Sequence, residues 1–92
     1  MKALTINRDL RISEYDGDRD GWMDPDIDWD HVSLDDKHDI FFNDNALEEP
    51  DVIFARVGNH PKIPLPAFVV GRDGEKTGEP SLTASELEAI VR

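Results

Sequence analysis

Residues 51–77 read DVIFARVGNHPKIPLPAFVVGRDGEKT, and this stretch decides the fold class. Asp51 to Val57 holds Val52, Ile53, Phe54, Ala55 and Val57, a strongly β-forming run closed by Gly58-Asn59-His60-Pro61. In Ile63-Pro64-Leu65-Pro66, proline alternates with apolar residues. Such a segment is extended, but its prolines donate no ladder bonds, so it predicts an edge or a crossing. Ala67 to Gly71 is a further strand. Asp73-Gly74 signals a hairpin turn before the return over Glu75 to Thr77. Short strands and tight turns predict an antiparallel sheet, with Asp51–Val57 as its central strand.

Working outward, Leu4 and Ile6, then Leu10 and Ile12, flank the turn-rich Asn7-Arg8-Asp9 and predict an N-terminal hairpin. Gly17, Gly21 and Pro25 mark a loop. Asp26 to Val32 alternates, with Asp26, Asp28 and Asp30 on one side and Ile27, Trp29 and His31 on the other, predicting a half-buried strand. Ser33 to Lys37 is expected as a turn or a single helical turn, and Ile40-Phe41-Phe42 as a short buried run. Asn43 to Pro50 is expected as a loop or short helix capped by Asp44 or Asn45. Near the C-terminus, Thr83 and Glu86 form a capping box, Leu82 and Leu87 a hydrophobic staple, and Leu87, Ile90 and Val91 an apolar stripe. The expectation is an α+β fold: a small, mostly antiparallel sheet with one C-terminal helix packed on it. Ninety-two residues supply one thin core, hence a single domain over residues 1–92.

Charge is the chain's main chemical statement. There are 21 acidic and 10 basic residues, a net charge of −11. Fourteen of the acidic residues fall between Asp16 and Asp51, opposed only by Arg19 and Lys37, so that segment carries −12 and the remainder +1. An uneven distribution predicts a dedicated acidic face rather than general solubilisation. Direct binding to nucleic acid or to an anionic membrane is not expected, because both require the opposite sign. No apolar stretch approaches a membrane span and no signal peptide shows at Met1–Leu10, so the expected location is cytoplasmic, in the host cell if the chain is phage-encoded. The absence of cysteine excludes disulfides, thiolate metal sites and a thiol nucleophile.

Asp16-Gly17-Asp18-Arg19-Asp20-Gly21-Trp22-Met23-Asp24 resembles the calcium loop of the EF-hand family. By that resemblance Asp16, Asp18, Asp20 and Asp24 would be ligands, with Gly21 at the sharp turn. The pattern fails at its twelfth position, where Ile27 stands in place of the bidentate Glu, and both flanks look like strand rather than helix. A calcium-binding module is therefore the alternative expectation, and a small structural or assembly subunit a further one.

The carboxylate row carries the leading expectation. Same-side residues of a strand lie ~6.6–6.8 Å apart, a spacing close to that of nucleic-acid phosphates. Asp24, Asp26, Asp28 and Asp30 would form such a row, and Asp16, Asp18 and Asp20 would extend it. Asp35, Asp36, Glu48 and Glu49 would make an outer ring. Trp22, in a polar loop, is a candidate exposed anchor, while Trp29 is expected in the core. In size, acidity and charge arrangement the chain resembles the small acidic DNA-mimic inhibitor proteins of phages, of the anti-CRISPR or anti-restriction type. The resemblance implies that the carboxylates occupy and block the basic nucleic-acid channel of a partner protein. It implies nothing about fold.

No enzyme is expected. Ser13, Ser33, Ser81 and Ser85 lie in no nucleophile-elbow or triad context, and no glycine loop cradles a phosphate. His31, His38 and His60 have no metal-ligand spacing, and no cofactor or metal is expected.

Overall fold

The computed structural model describes residues 2–17, 24–73 and 76–92. Their strands are β1 (Lys2–Ile6), β2 (Ile12–Asp16), β3 (Trp29–Asp35), β4 (His38–Asn43), β5 (Phe54–Val57), β6 (His60–Pro64), β7 (Ala67–Asp73) and β8 (Lys76–Gly78). A 3-10 helix spans Asp44–Glu48, and the helix α1 spans Ala84–Ile90. The main sheet runs β2-β1-β7-β4-β3, with β8 also paired to β7, and β5 and β6 form a separate two-stranded sheet. Every pairing is antiparallel. The architecture is broadly α+β and, with so short a helix, close to all-β. Among the described residues, no helix is long and apolar enough to cross a membrane.

Strand chemistry sets strand position. β7 begins Ala67-Phe68-Val69-Val70, apolar on both faces, and takes the centre, where both faces are covered. β2 (ISEYD) and β3 (WDHVSLD) carry the charges and form the two ends of the strand order, positions where charge discourages edge-to-edge association.

The expectation that Asp51–Val57 is the central strand is overturned. Only Phe54–Val57 is strand, and among the described strands its ladder partner is β6, outside the main sheet. The prolines of residues 61–66 keep this hairpin from joining the larger ladder. It lies across the sheet instead, with Ala55, Val57, Ile63 and Leu65 buried against Leu4, Ile6, Ile40, Phe42, Ala67 and Val69. Each large aliphatic side chain so enclosed contributes roughly 1.5–3 kcal/mol. Gly58 turns the hairpin at φ 57°, where a side chain is disfavoured.

The N-terminal hairpin pairs Lys2↔Asp16 through Ile6↔Ile12 as expected. So does the cap of α1: Thr83 Oγ1 accepts from Glu86 N at 3.2 Å and Glu86 Oε1 accepts from Thr83 N at 2.9 Å. Leu87 is buried, but Ile90 is exposed, which shortens the expected stripe. The helix ends there because the chain turns extended: Val91 bridges Val57, and Arg92 exchanges two backbone bonds with Arg56.

Two smaller expectations shift. Ser33 to Asp35 continues β3, leaving only Asp36 and Lys37 in the turn. The 3-10 helix is capped by Asn43, whose side chain accepts from Asn45 N, rather than by Asp44 or Asn45. The second face of the sheet carries a smaller cluster of Ala3, Phe41 and Val70, bordered by Tyr15, Trp29 and Phe68.

Candidate partner-binding site

Residues 24–30 do not form the expected straight row. Asp24 Oδ1 accepts from Asp26 N at 2.9 Å, and the Asp24 carbonyl accepts from Ile27 N at 3.1 Å. An Asp that bonds the amide two residues on turns the chain back, so β3 begins only at Trp29. The indole N–H of Trp29 also donates to the Asp24 carbonyl, at 2.9 Å, and ties the turn to the strand. Trp29 is half-buried on the second face of the sheet, beside Phe68 rather than in the main core.

The turn brings together more acid than the row would. Asp44 N donates to the Asp28 carbonyl at 2.8 Å and lays the 3-10 helix against this segment. Asp24, Asp26, Asp28, Asp30, Asp44, Glu48 and Glu49 thus sit on two bonded segments at one end of β3. All seven are exposed, and among the described residues none forms an ion pair. Asp44 is the member that sequence reasoning missed. Its place depends on a long-range backbone bond, for which the sequence carries no signal.

Other expected site residues fall elsewhere. Asp16 lies on β2, four strand spacings from β3, or roughly 19 Å. It does not extend the row. Asp35 and Asp36 sit at the far end of β3, about 16 Å from Asp30 along an extended strand. Asp18, Asp20 and Trp22 lie outside the described residues. Of the proposed calcium ligands only Asp16 and Asp24 are therefore described. Among the described residues, no three metal-ligating side chains come together.

At the far end of β3 the carboxylates are engaged. His38 is buried, and its Nδ1 lies 2.9 Å from Asp35 Oδ1. Its Nε2 is 3.0 Å from Ser81 N and 3.2 Å from Ser81 Oγ. Ser81 therefore stands in a serine–histidine–aspartate line, against the expectation that no serine has such a context. A backbone N–H only donates, so Nε2 is the acceptor and Nδ1 carries the proton toward Asp35. The nearer Ser81 N–H takes the single Nε2 lone pair that a nucleophilic hydroxyl would need. The line is a pin, fastening the β3–β4 turn to the segment entering α1.

Burial raises the Asp35 carboxyl, but the Lys37 N–H and the His38 imidazole and N–H outweigh it and hold it below its ordinary value. Beside the pin, Arg72 lies 3.4 Å from the buried Asp39 and donates to Ser33 Oγ and the Asp35 carbonyl. Next to Arg72, Gly71 admits the close approach of the Glu79 backbone, because a Cβ there would collide with the Glu79 carbonyl.

A cleft of about 260 Å³ opens between the two acidic segments, walled by Ile27, Trp29, Ala46, Leu65, Pro66 and Phe68. Comparison of the chain with protein-family models, curated proteins and solved structures gives no match.

Proposed function

We propose that this protein acts by binding, as a stoichiometric inhibitor whose acidic end enters the basic nucleic-acid channel of a partner protein and displaces DNA from it. The observation that carries this reading is the set of seven exposed carboxylates on the bonded segments 24–30 and 44–49, none of them in an ion pair among the described residues. Like charges held this close repel each other and destabilise the fold that carries them. A surface of lysines and arginines relieves the repulsion on contact, whereas solvent does so only by screening.

The reading departs from a plain charged rod. The carboxylates form a knot at one end of an edge strand, and at the other end of β3 Asp36 is, among the described residues, the one exposed acid outside an ion pair. The complex buries the turn at residues 24–28 and the 3-10 helix and leaves α1 in solvent.

The test is capture of a partner from lysate by the immobilised protein at low salt, followed by stopped-flow association over a range of ionic strength. Charge-led binding makes the association rate fall steeply as salt rises. A rate indifferent to salt would contradict the reading.

A further inference from the structure

We propose that the cleft between the two acidic segments is an anchor pocket for one bulky apolar side chain, aromatic by preference, presented by a lysine- or arginine-rich stretch of the partner. The proposal rests on the reading of the acidic end as a binding surface and gives that surface its apolar centre.

The cleft is shaped for such a group. Its volume of about 260 Å³ exceeds the ~150 Å³ in which an apolar cavity takes up a benzene ring. Trp29 and Phe68 meet edge to face, with centroids 5.7 Å apart and planes at 73°. The Trp29 indole is further fixed by its 2.9 Å bond to the Asp24 carbonyl. An aromatic wall already held in place loses little freedom on binding.

Charge decides what enters. Ile27 belongs to the acidic turn, and Ala46 and Glu49 belong to the acidic 3-10 helix and its end. A chain that inserts a side chain here therefore runs between two groups of carboxylates, which selects basic flanking residues. At the rim stands Arg8, held by the Asp51 carbonyl at 2.9 Å. A second cation inserted beside Arg8 meets a like charge, so the anchor is apolar and the cations lie outside it. A second copy of this chain, at net −11, is repelled by the same carboxylates. An apolar centre with a charged rim is the usual arrangement of a tight interface, and a surface imitating phosphates alone has no use for it.

Two fluorescein-labelled probes test this at low ionic strength, Lys-Lys-Phe-Lys-Lys and Lys-Lys-Gly-Lys-Lys, with affinity read by fluorescence anisotropy. The phenylalanine peptide is expected to bind about tenfold tighter, the yield of burying one aromatic side chain in part. Filling the cleft by Ala46→Leu should bring the two peptides level, removing the tenfold preference for phenylalanine.

A second readout leaves the cleft itself unaltered. The Trp29 indole N–H resonance, distinguished from that of Trp22 by Trp22→Phe, should shift with the phenylalanine peptide and not with the glycine one. Equal binding of both peptides, with no indole shift, would overturn the pocket and leave the acidic surface standing. Binding of neither would overturn both.

Discussion

At the hairpin end of β3, Asp35 and Asp39 are tied to His38, Arg72, Ser33 and the Lys37 amide, and through His38 to Ser81. At the opposite end, Asp24, Asp26, Asp28 and Asp30 stand beside Asp44, Glu48 and Glu49 with no cation paired to any of them among the described residues. The same edge strand joins a region where carboxylates hold the fold together and one where they repel. A carboxylate that accepts hydrogen bonds in a half-buried network contributes to stability, whereas crowded exposed ones detract from it. We propose the second region, not the first, as the one that meets a partner.

The largest effect expected is on binding. Reversing charge with Asp26→Lys and Asp28→Lys together should slow association with the captured partner and weaken the complex by several kcal/mol. The same reversal at Glu86 and Glu88, on α1, should change it little. Equal losses from both pairs would erase the contrast between the acidic end and the rest of the surface.

Next in size is the pin. His38→Leu leaves the Ser81 N–H without its acceptor and strips Asp35 of its imidazole donor, and should lower unfolding stability by about 1–3 kcal/mol in urea titration. Asp26→Asn should stay within ~0.5 kcal/mol of the parent. If the two variants were equally destabilised, the division of labour along β3 would be wrong.

The helix provides a reference outside both regions. Thr83→Ala removes the acceptor for Glu86 N and should cost roughly 0.5–2 kcal/mol, with partner affinity unchanged once the protein is folded.

The smallest effect is that of acid. The Asp35 carboxyl lies below its ordinary value when folded, so its stabilising contribution is complete above the unfolded value and is lost as pH falls through the folded one. Thermal melts below the ordinary carboxylate range should show wild type losing more stability than Asp35→Asn. Parallel losses would place the acid sensitivity elsewhere.

Several local features of the fold were legible in the sequence, and the long-range ones were not. The capping box at Thr83 and Glu86 and the hairpin around Asn7–Asp9 each lie within a few residues, and both formed as expected. Residues 51–57 lie outside the predicted place because apolar content marks a buried strand without saying which sheet buries it. The prolines that follow excluded it from the main ladder. The alternation at Asp26–Val32 pointed to strand, but Asp24 caps its own turn and the alternation begins to act only at Trp29. Ser81 and His38 are 43 residues apart, beyond the reach of any motif, and so is the bond that brings Asp44 to Asp28.

The central claim is that the acidic end occupies a site otherwise filled by DNA. Competition measures this directly: the captured partner is loaded with a labelled DNA duplex, the protein is titrated in, and the released duplex is followed by anisotropy. The account predicts full, stoichiometric displacement, with excess duplex displacing the protein in turn, and displacement lost in the Asp26→Lys, Asp28→Lys variant. A ternary complex in which duplex and protein bind the partner together would contradict it.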